Sequence, residues 1–146
     1  MKFLHSMIRI KDIDESLEFY CQGLGLQEVK RYENESGRFT LIFLAAPDDI
    51  SSALSDMSPL IELTYNWDSR SYDIGDNFGH LAFSVNDIFE YCSNLESKGI
   101  EILRPPRDGY MAFIKSPDGI SIELLQKGDA LTPIEPWVSR ENKGSW

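Results

Sequence analysis

The chain has only two histidines, and each stands in the same frame as a glutamate further along. His5 is followed seven residues later by Asp12, and His80 seven residues later by Asp87. Each aspartate opens an Asp-x-x-Glu helix start, Asp12 to Glu15 and Asp87 to Glu90, and a helical pattern then runs to a glycine, Gly25 or Gly99. Each copy closes on Ile-Glu-Leu, at Ile61-Glu62-Leu63 and at Ile122-Glu123-Leu124. A duplicated scaffold alone would not need polar residues at matching strand positions. Two imidazoles and two carboxylates form a borderline nitrogen–oxygen donor set for a divalent ion such as nickel, cobalt, zinc or manganese, without the thiolates of a structural zinc site. A six-coordinate ion would keep two positions for water or substrate, as Lewis-acid chemistry requires. A carboxylate that can release the ion is also a placed base for a C–H made acidic by a polarised carbonyl.

The elements that must position these residues follow from periodicity. Residues 2–10 alternate, with Phe3, His5, Met7 and Arg9 on one face and Leu4, Ser6, Ile8 and Ile10 on the other, which is a strand period. Asp12 caps a helix with the apolar stripe Ile13, Leu17, Tyr20 and Leu24, and strands are expected at about 26–33, 39–46 and 59–66. Residues 47–58 read as a loop with one helical turn. The second copy predicts a strand at 79–86, a helix at 88–98, and strands near 100–104, 110–116 and 119–126. Ser116-Pro117-Asp118-Gly119 is a turn signal that makes the last two a hairpin. The expectation is an α+β chain of two βαβββ modules, 1–66 and 79–127, joined by a linker at 67–78 and followed by a tail at 128–146 in which Trp137 is a candidate anchor. Neither curled sheet can close its concave face alone, so two modules should pair into a barrel-like cleft. Alternation puts His5 with Arg9 on one face, and Glu62 with Asn66, while Ile61, Leu63 and Tyr65 face the helix side. The aromatics Phe39, Phe43, Tyr65, Trp67 and Phe113 read as core or pocket wall.

Composition sets outer bounds. At 146 residues with 42% apolar content the chain suits one domain or two small modules with a real core. A formal charge of −10 disfavours nucleic acid and anionic lipid as partners, and no apolar run approaches the roughly 20 residues of a spanning helix. The first residues are already strand-like rather than a signal peptide, so the cytoplasm is the default expectation. Cys21 and Cys92 lack CxxC spacing and read as reduced, packed thiols.

Four stretches together carry a resemblance: His5-x-x-x-Arg9, Ile61-Glu62-Leu63-Thr64-Tyr65-Asn66-Trp67, Phe78-Gly79-His80, and Asp118-Gly119 with Ile122-Glu123-Leu124. Over residues 3–126 the chain resembles glyoxalase I (lactoylglutathione lyase) of the vicinal oxygen chelate superfamily. The resemblance implies isomerisation of the methylglyoxal–glutathione hemithioacetal to S-D-lactoylglutathione through a metal-bound enediolate. His5, Glu62, His80 and Glu123 would hold the metal, with nickel favoured and zinc or cobalt as alternatives. Glu123 would be the principal base and Glu62 would serve the opposite face or the return. Arg9 and Asn66 match positions that grip the glutamyl end of glutathione, and Arg104 a position that receives the glycyl carboxylate. The family also implies a homodimer whose sites take His5 and Glu62 from one subunit and His80 and Glu123 from the other. Asp76 stands where some members carry an arginine for the thiol, Ser121 where some carry an aromatic, and residues 105–109 are short, as in the compact forms that favour nickel or cobalt. The competing readings are a coenzyme A thioester epimerase or a thiol transferase on the same frame, or a metal-free drug-sequestering protein.

Overall fold

The computed structural model describes residues 1–68 and 70–146; Ser69, within the expected linker, lies outside the described residues. The chain divides into two compact units, Met1–Asp73 and Ile74–Trp146.

The first unit contains β1 (His5–Ile10), α1 (Ile13–Leu17), β2 (Gln27–Asn34), β3 (Phe39–Ala45), α2 (Ile50–Asp56) and β4 (Leu60–Asn66). Its sheet has the order β1-β4-β3-β2, with β1 and β4 parallel and the other pairs antiparallel. The alternation of β1 is realised: Ile8 and Ile10 are buried with Ile42, Leu44 and Leu63, while His5, Met7 and Arg9 are exposed. Asp12 caps α1 as expected, its Oδ1 accepting the Glu15 amide at 2.8 Å. The helix then widens into a π turn over Glu18–Gly23 that buries Phe19 and Tyr20, and Gly25 ends it at φ +81°, a conformation open to glycine. Residues 47–58 hold more structure than the expected single turn. A 3₁₀ turn at Pro47–Asp49 runs into α2, which lays Ala53 against Ala45 and Leu60. The small Ala–Ala contact, rather than a long apolar stripe, seats this helix.

The second unit contains β5 (His80–Val85), α3 (Ile88–Ser97), β6 (Met111–Lys115) and β7 (Ser121–Gln126), in a three-stranded sheet ordered β5-β7-β6 with β5 and β7 parallel. The strand expected near 100–104 is not formed. Only a single antiparallel bridge, Arg104 to Phe113, remains of it. Pro105 and Pro106 follow at once and have no N–H, so the ladder is not extended beyond Arg104. Asp87 Oδ1 caps α3 by accepting the amides of Phe89 and Glu90 at 2.9 Å. Gln126 fastens the end of β7 to the start of α3, accepting the Ile88 amide at 2.9 Å and donating to Asn86 O at 2.8 Å. The hairpin turn forms as expected, with the Gly119 amide on Ser116 O at 2.8 Å.

Residues 128–146 fold back on this unit. Trp137 is buried, the Leu131 amide donates to Gly109 O at 3.0 Å, and both Arg140 terminal nitrogens reach the Glu96 carboxylate at 2.9 and 2.5 Å. Cys92 is sealed in the core, where burial, with the Glu96 charge adding, pushes its thiol up to about 12. Cys21, half-buried, is also raised, by burial first and then by Glu28. Both cysteines are free thiols. No described helix is long and apolar enough to cross a membrane.

Two outcomes follow from this packing. Gly109 has φ +68°, and an added Cβ would collide with the Leu131 carbonyl; Gly109→Ala should lose at least about 2 kcal/mol, read as a lower guanidinium midpoint at unchanged m. The folded state holds the Cys92 proton more tightly than the unfolded chain does. Stability should therefore fall as pH rises above the ordinary thiol range of about 8.5, and less so in Cys92→Ala measured against its own neutral-pH value.

Candidate metal centre

Each histidine and glutamate meet across a parallel ladder. In the first unit His5 pairs with Leu60 and Met7 with Glu62; in the second His80 pairs with Ser121 and Ala82 with Glu123. The glutamate thus lies two residues beyond the residue opposite the histidine in both, on the same face of the sheet. Paired strands run about 4.8 Å apart, within reach of two side chains leaning toward each other. His5 Nε2 stands 3.0 Å from Glu62 Oε2, and His80 Nε2 stands 3.0 Å from Glu123 Oε2. The glutamate side chains are 13% and 15% exposed and the imidazoles 37% and 41%, so each pair sets a partly open imidazole beside a mostly covered carboxylate.

A phenylalanine completes each pair. On the other side of β4, Phe43 of β3 lies directly across from Glu62, and on the other side of β7, Phe113 of β6 lies directly across from Glu123. Phe43 meets the His5 ring edge-on at 5.9 Å and 69°, and Phe113 meets the His80 ring at 5.5 Å and 85°. The duplicated unit is therefore His–Glu–Phe, which reading the sequence reduced to His–Glu. Half of this was available: Phe113 and Glu123 are equidistant from Asp118 in the turn, so hairpin register pairs them. Phe43 and Glu62 are separated by a helix, and no such count applies.

The donor set fits a divalent ion. Two ligand atoms each about 2.1 Å from an ion and at right angles to one another are separated by about 3.0 Å, against about 3.4 Å for a tetrahedral angle. The 3.0 Å found in both units is the former spacing. The same distance suits an Nε2–H···Oε2 hydrogen bond, so a proton or a cation can bridge the pair. Among the described residues no group of three or more His, Cys, Asp or Glu is gathered around a common point; each unit brings two donors.

The copies differ in one respect that bears on chemistry. Thr64, two residues beyond Glu62, donates its hydroxyl to Glu62 Oε1 at 3.2 Å. The equivalent residue beyond Glu123 is Leu125, which has no donor. One carboxylate is restrained from behind and its counterpart lacks that hydroxyl.

Arg9 lies on the His5 face of β1, exposed and opposite Thr64. Asn66 ends β4 with its amide donating to Tyr72 Oη at 2.8 Å. Trp67 Nε1 donates to Thr40 Oγ1 at 2.9 Å, and the Arg38 guanidinium, paired with Asp68, stands 5.9 Å over the Trp67 ring. Arg104 is tied into its own loop: Nη2 reaches Asp108 at 2.8 Å and Nη1 donates to Met111 O. Burial pushes the Asp108 carboxyl up, but the Arg104 guanidinium and the amides of Tyr110 and Met111 outweigh it and hold the group below the usual range. A substrate carboxylate on Arg104 would compete with Asp108. Asp76 is exposed. Besides the two phenylalanines, Thr64 and Tyr72 are the contacts that sequence reading passed over; Thr64 lay within the quoted motif but had no assigned partner.

Comparison with known proteins gives the family of the chain. A family model described as the glyoxalase/bleomycin resistance protein/dioxygenase superfamily matches residues 2–124. A protein of Synechocystis sp. named "Probable lactoylglutathione lyase" is 40% identical over 131 residues, covering 86% of this chain and 95% of that protein. A lactoylglutathione lyase of Neisseria meningitidis is 37% identical over 132 residues, covering 87% of this chain and 91% of that one. The crystal structure of glyoxalase I from Leishmania major, described as trypanothione-dependent, superposes with a TM-score of 0.75 at 34% identity over 86% of each chain.

The ring contacts make a measurable demand. Phe43→Leu and Phe113→Leu each leave an imidazole without its edge-on partner, and each should weaken nickel binding about 10-fold in a chelator competition. Unchanged affinity in both would show that the rings do not orient the histidines.

Proposed function

The chain belongs to the glyoxalase/bleomycin resistance protein/dioxygenase superfamily, and we infer that it is a lactoylglutathione lyase, isomerising the hemithioacetal of methylglyoxal and glutathione to S-D-lactoylglutathione. The observation that carries the reading is the repeated His–Glu pair, at one register and one 3.0 Å spacing in both units. His5, Glu62, His80 and Glu123 are the residues that would hold one divalent ion, with nickel favoured over zinc or cobalt. The short segment at residues 105–109 supports that preference. When bound, the ion supplies Lewis-acid polarisation of the substrate oxygens, which acidifies the C1–H bond.

The residues of the chain then move one proton. Glu123 takes the hydrogen from C1, and the C–H electron pair passes into an enediolate. The proton is returned to C2, the C1 oxygen becomes the thioester carbonyl, and its hydroxyl proton ends on the C2 oxygen. The formula is unchanged and no oxidant or reductant is needed. Glu123 suits the role because Leu125 leaves it without the hydroxyl that Thr64 gives Glu62. Glu62, held by that hydroxyl, serves as the steadier ligand and as the group facing the opposite side of the substrate. Phe43 and Phe113 keep water from the mostly covered carboxylates, which favours proton transfer over exchange.

Arg9, on the face of His5, and Asn66, at the end of β4, would receive the glutamyl end of glutathione, with Tyr72 exchanging its hydrogen bond for the ligand. Arg104 would receive the glycyl carboxylate in place of Asp108. Each unit brings two donors, so a complete set draws on both kinds of unit; the assembly we propose is a homodimer that combines His5 and Glu62 of one subunit with His80 and Glu123 of the other, the sheets closing a barrel-like cleft.

Metal-stripped protein reconstituted with nickel or zinc should form thioester from methylglyoxal plus glutathione, and no thioester with either ion, or with cobalt, would end the reading. Glu123→Gln should retain the ion yet lose at least about 10²-fold in kcat. Turnover at the level of the unsubstituted enzyme in that variant would move the base elsewhere.

A further inference from the structure

Trp146 is placed beside the second half-site by a series of specific contacts. From Trp137 onward the tail is fastened at four points. The Trp137 ring is 3% exposed with the Arg140 guanidinium 4.7 Å above it. Arg140 grips Glu96. The Lys143 amide donates to Leu103 O at 2.8 Å while its Nζ reaches Glu101 at 3.0 Å. Finally Lys115 Nζ donates to Ser145 O at 2.6 Å. Lys115 sits in β6 two residues beyond Phe113, so the strand that carries the phenylalanine also holds the final peptide.

The result is a ring on a ring. Trp146 stacks on Phe113 at 5.7 Å and 25°, and Phe113 is the residue that meets His80 edge-on and faces Glu123 across the ladder. Among the described residues, the counterpart Phe43 has its ring contact with His5 alone. Ordering a segment without regular secondary structure costs conformational entropy, which core burial could offset. Trp137 already does that, whereas Trp146 is left 39% exposed. An indole held firmly but half open is a surface for something else to lie on.

We propose that Trp146 is a specificity-determining residue: it extends the Phe113 side of the His80–Glu123 half-site into an aromatic wall that favours hemithioacetals of aryl 2-oxoaldehydes over those of alkyl ones. This rests on the isomerase reading above. A flat aryl substituent gains stacking area on the indole face, and a methyl group gains little. Because the contact is made by a part of the substrate that does not react, it discriminates between substrates without entering the chemical step.

The test compares phenylglyoxal with methylglyoxal, each with glutathione, on the nickel-loaded enzyme. Trp146→Ala should lower kcat/KM for the phenylglyoxal adduct about 5- to 10-fold and for the methylglyoxal adduct less than about 2-fold, with Trp146→Phe restoring most of the loss. Calorimetric binding should repeat the pattern, S-benzylglutathione weakening and S-methylglutathione not. Should Trp146→Ala fail to fold, Lys115→Met frees Ser145 while keeping the indole and should give the same aryl-selective loss in smaller measure. Equal losses on both substrates, or none on either, overturn the inference and leave the isomerase reading standing. Tight, Trp146-dependent binding of S-benzylglutathione by a protein that isomerises neither adduct supports the wall and overturns the isomerase.

Discussion

Slipping a strand by one residue turns every side chain on it to the opposite face, so the β1–β4 and β5–β7 ladders hold the donor set more firmly than any contact within it. In a parallel pair the two strands cannot be joined by a tight turn, and the register is fixed instead by what packs on the far face. Ile8 and Ile10 with Leu63 in the first unit, and Val85 with Ile122 and Leu124 in the second, anchor those faces in the core. Moving any of them to solvent would also take a histidine or a glutamate out of reach of its partner. The apolar alternation of these four strands is thus the specification of the half-sites, written in residues that never touch a ligand.

Duplication followed by divergence explains why two like halves can take unlike roles. The frame His–Glu–Phe is common to both. Thr64 against Leu125 changes how one glutamate is held. A strand of the second unit is reduced to a bridge at Arg104, and the loop that Pro105 and Pro106 open is closed by Asp108 and by the returning tail at Leu131. That tail then sets Trp146 on Phe113. Each difference lies at the edge of the repeated frame, where a change alters a neighbour of the donors without moving the ladder that places them.

The features legible in the sequence are those governed by short-range rules: alternation in the strands, the Asp12 and Asp87 caps, the glycines that end both helical stretches, and the turn at Pro117. They placed all four donors on the strands that carry them. The parts that escaped depend on partners distant in the chain. α2 is seated by Ala53 against Ala45 and Leu60, small residues with no periodic signature. The strand expected at 100–104 had the right composition, yet it is reduced to the one bridge at Arg104, an outcome that depends on β6, distant in the chain. The pairing of Phe43 with Glu62 depends on a β3–β4 register set across a helix. Arg104 matched a position that receives a substrate carboxylate, and nothing local in the sequence shows that Asp108, four residues on, curls back onto it.

Each half-site rests on backbone ladders and core packing, its two donors standing on paired parallel strands. The two donors of a unit stand 3.0 Å apart, a separation that a proton or a cation can bridge. A ladder that fixes this separation leaves little to reorganise when an ion is held. The same economy applies to the reaction: a carboxylate that can let go of an ion without disturbing its strand can pick up a substrate proton and give it back, because the ladder beneath it keeps its place throughout.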